Sequence, residues 1–283
     1  MNLQQITHHI YVTPPREITD RPLLGAVVGE RSTLMIDAGN SSHHANQFLK
    51  LLKQHNLKAP DYLVLTHWHW DHVFGASAIH AALVAHNETT RKLEEMSRLS
   101  WRDKALDQRV EEGMEIEFCR DHMKAELTDR QRAQIKIKIP EVSFEQQLTL
   151  DLGNLTTQII HVGGDHSADS SIVFIPEEKV VFLGDCIYDS IYETHRHYTP
   201  EKIFPLLEKL LSLGADHYFE GHSAQPMSFS ELETFTNHLR TISRCVLENR
   251  EDPASIKTAL AETLAREPNE EDLEYMENFI HGL

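Results

Sequence analysis

Four potential metal ligands fall within six residues at His67-Trp68-His69-Trp70-Asp71-His72, and no other feature constrains the fold and chemistry of this chain as tightly. Residues 62–66 read as a short apolar strand that delivers the cluster at its end. In an extended segment alternate side chains share a side, so His67 and His69 point the same way, while Asp71 and His72 follow at a strand-to-helix turn. Imidazole nitrogens and a carboxylate oxygen suit zinc and related divalent ions. Four such groups would be a poor way to fill a core, because buried polar groups need partners. The alternative, an incidental surface histidine run, is disfavoured by the residues downstream that would complete a site. These are His166 in Gly163-Gly164-Asp165-His166-Ser167, Asp185 in Phe182-Leu183-Gly184-Asp185, and His222 in Glu220-Gly221-His222-Ser223. Taken singly, each would be an ordinary turn residue or helix cap.

The surrounding pattern predicts an α/β fold. Residues 23–28 and 33–36 are apolar runs separated by Gly29-Glu30-Arg31-Ser32, as in a hairpin. Ala45, Phe48, Leu49 and Leu52 recur at helical spacing. Further strands are expected at 148–150, 155–162, 170–175, 179–183 and 217–219, with the candidate ligands where strands stop. Thr199-Pro200-Glu201 opens a helix whose apolar stripe is Ile203, Leu206, Leu207, Leu210 and Leu211, and Gly214 ends it. Helical patterns run again from 230 to about 250 and over the last thirty residues. Between 88 and 138 there are twelve acidic and twelve basic residues and no proline, which predicts helices. The expected organisation is one domain over 1–283, with a helical insertion at 88–140 and a helical extension at 228–283. The insertion is expected to cover the candidate ligands and shape a pocket, the alternative being a contact with a second copy in a homodimer.

Charge narrows the partners. With 27 Lys and Arg against 44 Asp and Glu the net charge is -17, so a nucleic-acid polymer is disfavoured. Residues 246–283 hold ten carboxylates and three basic residues, which reads as a solvated helical surface and not a site. No stretch reaches the ~18 apolar residues of a membrane span. Three cysteines without Cys-x-x-Cys spacing, and no export signal in the first ten residues, lead to the expectation of a reducing, cytoplasmic setting without membrane attachment. Among nineteen histidines, His55, His80 and His238 read as surface or helix-face residues, and His195 and His197 as parts of a polar loop.

Taken in order, Asp37, the 67–72 cluster, His166, Asp185 and His222 resemble the five motifs of the metallo-β-lactamase superfamily, over about residues 20–225. The resemblance implies an αββα four-layer sandwich of two mixed β-sheets flanked by helices, with metals at one edge. It implies that His67, His69 and His166 hold one ion, that Asp71, His72 and His222 hold a second, and that Asp185 bridges them. Asp37 would support the loop by hydrogen bonds without being a ligand. The cofactors implied are two divalent metal ions, zinc first, with iron or manganese as alternatives. Because even one zinc lowers the pKa of a bound water to about 7, a hydroxide held by two metals could attack a carbonyl or phosphoryl centre, with Asp71 placed to carry a proton.

Cys186 follows the bridging aspartate and does not replace it, unlike the cysteine ligand of one antibiotic-degrading branch, and His69 disfavours the redox branch that carries glutamate there. The expected function is therefore a hydrolase of a small carbonyl substrate, an ester, lactone, thioester or amide. The alternatives are a phosphodiesterase on a small or nucleotide substrate and a non-catalytic metal-binding protein. Tyr188, three residues after Asp185, is similar in spacing to a tyrosine of the lactonase branch and is a candidate donor to the substrate. Trp68 and Trp70 are expected to pack beside the metal loop.

Overall fold

The computed structural model describes residues 2–249 and 252–283. Its first sheet has seven strands in chain order: β1 Gln4–Gln5, β2 Ile10–Thr13, β3 Leu24–Val28, β4 Thr33–Ile36, β5 Tyr62–Val64, β6 Ala82–His86 and β7 Val142–Phe144. β1 to β4 pair antiparallel and β4 to β7 parallel. The second sheet runs β12-β11-β10-β9-β8, from β8 Gln147–Asp151, β9 Thr156–His161, β10 Ser171–Ile175, β11 Val180–Gly184 and β12 His217–Glu220. There β11 and β12 are parallel, and the other pairs are antiparallel.

Parallel neighbours need crossovers. Helix α1 (Ser42–Gln54) links β4 to β5, α2 (Trp70–Val73) lies between β5 and β6, and α7 (Pro200–Ser212) links β11 to β12. The β6–β7 crossover is the helical insertion: α3 Asn87–Met96, α4 Asp103–Glu111, α5 Glu117–Glu126 and α6 Asp129–Arg132. After β12 come α8 Phe229–Glu248, α9 Pro253–Leu264 and α10 Glu270–His281.

Alternation along the strands builds the layers. On β4, Leu34 and Ile36 face the second sheet while Met35 packs with Phe48 and Leu52 of α1. On β11, Val180 and Phe182 meet the first sheet, and Val181 and Leu183 face α7 and α8, where Leu207, Leu210, Leu239 and Ile242 wait. Three apolar clusters thus fill the three interfaces of helix, sheet, sheet and helix, the αββα order that the resemblance implies. Every strand expected from sequence is present, with ends displaced by a residue or two. β1, β2, β6 and β7 were not among the expected strands. β1 and β7 are only two and three residues long, and β6 is buried over four of its five residues, so none carries a clear alternation. Among the described residues no helix is long and apolar enough to cross a membrane.

Candidate metal centre

The ends of β5, β9, β11 and β12 meet at one edge of the sandwich, and each brings a candidate ligand. Glycine permits the convergence at two points. Gly184 turns the chain with φ +54 at the end of β11, a left-handed conformation, just before Asp185. At Gly221 a Cβ would lie 2.1 Å from Asp185 Oδ1 and 3.1 Å from His72 Cε1, so any side chain there would fill the space between ligands.

His67, His69 and His166 form one group that could hold a metal ion, and Asp71, His72, Asp185 and His222 a second. Zinc bonds of about 2.0–2.1 Å put tetrahedral ligand atoms about 3.3 Å apart. His72 Nε2 lies 3.0 Å from Asp71 Oδ2 and 3.3 Å from Asp185 Oδ2, and the corresponding distances from His222 Nε2 are 3.2 and 3.4 Å. Asp185 Oδ2 also sits 3.4 Å from His166 Nε2 and 3.8 Å from His67 Nε2, between the two groups. The Nε2 atoms of His67, His69, His72 and His166 and Oδ1 of Asp185 are buried with no hydrogen-bond partner among the described residues. Uncompensated burial of so many polar atoms is unfavourable, and coordination of a cation would relieve it.

The opposite ring nitrogens are anchored. Asp37 accepts from the Thr66 amide at 2.8 Å, the Thr66 hydroxyl at 3.0 Å and His72 Nδ1 at 2.8 Å. Since the Thr66 hydroxyl spends its proton on Asp37, it accepts from His67 Nδ1 at 3.1 Å. The carbonyl of Asp189 accepts from His166 Nδ1 at 3.1 Å. Each anchor engages Nδ1, so Nε2 is the nitrogen that faces the site and would carry the lone pair for a bound cation.

Charge differs between the groups. Burial and neighbouring imidazoles keep His67 and His69 neutral, well below the usual histidine range. Burial also opposes charge on His72 and His222, but the Asp71 and Asp185 carboxylates outweigh it and raise both well above that range. Burial would raise Asp71 and Asp185, yet His72 and His222 hold both carboxyls down.

The family model of the metallo-beta-lactamase superfamily matches residues 24–238. The chain belongs to this superfamily. A 54-residue stretch, 19% of the chain, is 32% identical to the metallo-beta-lactamase type 2 of Bacteroides fragilis, and the match spans 22% of that relative. Among solved structures, a metallo-beta-lactamase family protein from Thermus thermophilus superposes with a TM-score of 0.60 at 15% identity, covering 98% of this chain and 93% of its own. The stereoselective inverting sec-alkylsulfatase Pisa1 from Pseudomonas sp. gives 0.65 at 15% identity, covering 97% of this chain and 47% of its own. At such identities the superpositions establish the superfamily fold alone.

Over the ligand edge this superfamily member opens a cavity of about 590 Å³, with His69, Asp71, His166, Asp185 and His222 in its lining. Helix α5 of the insertion contributes Phe118, Cys119 and His122. Helix α10 contributes Glu271, Glu274, Tyr275 and Asn278, which corrects the reading of the acidic C-terminal segment as solvated surface alone. That reading failed because composition cannot tell which face of an acidic helix turns toward a cavity. Tyr188 lines the same space, its ring 5.9 Å from that of His166 and 6.4 Å from that of His222. Burial and then the Glu220 charge push its phenol far up, so it stays protonated. Tyr192 lies against the rings of Trp68 and His69, 5.2 Å from each, while Trp70 is buried in the core. His197 bonds Ser190, and His195 stacks on His281.

Sequence reasoning missed Asp20, whose Oδ1 is 3.5 Å from His222 Nδ1, as well as Asp189 and Asn278. Each stands alone on a loop or helix with no motif around it.

Proposed function

We propose that the chain is a metal-dependent hydrolase of a small carbonyl substrate, an ester, lactone, thioester or amide. His67, His69 and His166 would hold one divalent ion and Asp71, His72 and His222 a second, with Asp185 shared between the two groups; zinc is the first candidate, with iron or manganese as alternatives. When bound, the metals supply an activated water near neutral pH and a Lewis acid for developing negative charge. Asp71, at the second group and in the cavity lining, carries a proton toward the leaving group. Tyr188, which lines the cavity and hydrogen-bonds Glu220, is the donor assigned to the substrate oxygen; its hydroxyl would turn from that carboxylate to make a contact that strengthens as charge develops on the substrate.

The observation that carries the carbonyl reading over the phosphodiester one is the charge of the cavity. Glu17, Glu271 and Glu274 line it, beside Asp20, whose carboxyl burial and then the Asp71 charge push up to about 7, with a single guanidinium, that of Arg196, which lies 3.7 Å from Asp189 and 3.9 Å from Glu274. Such walls repel an anionic diester and leave neutral carbonyl compounds unopposed. The volume suits a small molecule and is too small for a polymer to thread. The test is a panel of aryl esters, lactones, thioesters, a bis-aryl phosphodiester and a secondary alkyl sulfate, offered to zinc-reconstituted protein. Turnover is expected with at least one carbonyl class and well above that with the diester. A preference for the phosphodiester or the sulfate, or no carbonyl turnover, would overturn the proposal.

A further inference from the structure

We infer that the C-terminal helix α10, beyond the residues the superfamily model matches, is a working part of the metal centre: Asn278 positions Asp189, and Asp189 positions the ligand His166. The inference rests on the metal-binding reading above.

The relay is a chain of short contacts. His166 Nδ1 donates to the Asp189 carbonyl at 3.1 Å, and because a carbonyl can only accept, this contact fixes the tautomer that frees Nε2. The Asp189 main chain has no strand or helix of its own, since residues 185–199 form a loop between β11 and α7. Asn278 supplies the missing constraint. Its Nδ2 donates to Asp189 Oδ2 at 2.8 Å, and its carbonyl accepts from the Tyr198 amide at 3.0 Å, so one residue grips the loop at both ends. Tyr198 closes the frame by donating from its hydroxyl to the Ile187 carbonyl at 3.0 Å.

Burial argues that this pairing is more than helix packing. Asn278 is 4% exposed and Asp189 is 8% exposed. Asparagine is a weak helix former, and an amide facing a core position forgoes the apolar burial that leucine would give. Its value at 278 lies in the donor it presents to a buried carboxylate. The two residues are 89 positions apart in sequence, and the hydrogen bond ties the last helix of the chain to the loop that carries bridging Asp185.

The test measures first-site zinc affinity by competition with a chelating indicator, alongside thermal stability and the visible spectrum of the cobalt-substituted protein. Asn278→Leu and Asp189→Ala keep the main-chain carbonyl that accepts from His166 but release the loop that carries it, and each is expected to weaken the first site about tenfold and to alter the cobalt bands, as displacement of a ligand's hydrogen-bond partner does. The double variant should be no weaker than the worse single one, since both break the same link. Met276→Ala, on the same helix and 6% exposed, is the packing control, expected to lower the melting temperature without moving affinity. Should Asn278→Leu fail to fold, Asn278→Asp keeps the shape and turns a like charge toward Asp189, with the same loss expected. First-site affinity within about twofold of wild type in the folded variants, whatever their melting temperature, would overturn the relay. If wild type itself binds no zinc, the metal reading fails instead.

Discussion

Asp37 serves both ligand groups from one carboxylate, through His72 directly and through the Thr66 hydroxyl to His67. It does so with a left-handed backbone, φ 58, which aspartate tolerates better than bulkier residues. Asp37→Ala is therefore expected to weaken zinc binding at both sites, by about 10–100-fold at each, measured by chelator competition. Loss confined to one site would contradict the shared anchor. Asp71→Asn should keep a first metal while losing most activity, because the three histidines of the other group are untouched; near wild-type turnover would show that Asp71 has no such role. Tyr188→Phe should lower kcat by about 10²–10³ with unchanged metal content, as removal of a single oxyanion donor does. Tyr192→Phe should change kcat less, because that hydroxyl points to Cys119 Sγ at 3.5 Å, away from the ligands. Equal, small effects would make Tyr188 a packing residue. At this scale the sequence was most legible where ligands crowd together: residues 67–72 betray themselves by density, and His166, Asp185 and His222 by their places at strand ends. Asp20, Asp189 and Asn278 were illegible, because an outer partner is defined by what it touches and not by its neighbours in the chain.

Two helical elements added to the sandwich converge on the ligand edge. In the insertion, α5 brings Cys119 to Tyr192, whose ring lies against the candidate ligand His69, so the insertion reaches the 67–72 loop through Tyr192. Its helices were legible from charge density and the absence of proline. Its placement over the cavity was an inference from how long additions behave, and no residue pattern encodes it. Helix α10 begins with a capping box in which Asp272 accepts from the Asn269 amide and pairs with Arg266. The Arg266 hydrogen bond outweighs burial and holds the Asp272 carboxyl below its usual 3.8. A carboxyl depressed on folding adds stability that is fully present above its unfolded pKa and is lost as pH falls through the folded value. Asp272→Asn should therefore lower the melting temperature by roughly 2–4 °C at pH 5–8, with the gap closing below about pH 4. A gap that persists unchanged into acid would show that the ionised carboxylate is not what holds this helix.

For the whole molecule, the layered sandwich is a frame on which four strand ends bring together seven candidate ligands. A net charge of -17 and a cavity with seven acidic side chains and one guanidinium in its lining both oppose anions at a distance, while two bound cations would reverse the sign only at the floor. The layer order was legible because alternation and strand-end ligands agree; how the C-terminal helices wrap back to the site was not, since that depends on contacts almost a hundred residues apart. Everything functional above depends on whether these ligands hold two ions. Seven candidate ligands exceed what one tetrahedral centre can use. The direct measurement is elemental analysis of protein purified without chelator and then reconstituted with zinc. Two equivalents per chain are expected. One equivalent or fewer after reconstitution would contradict the dinuclear account.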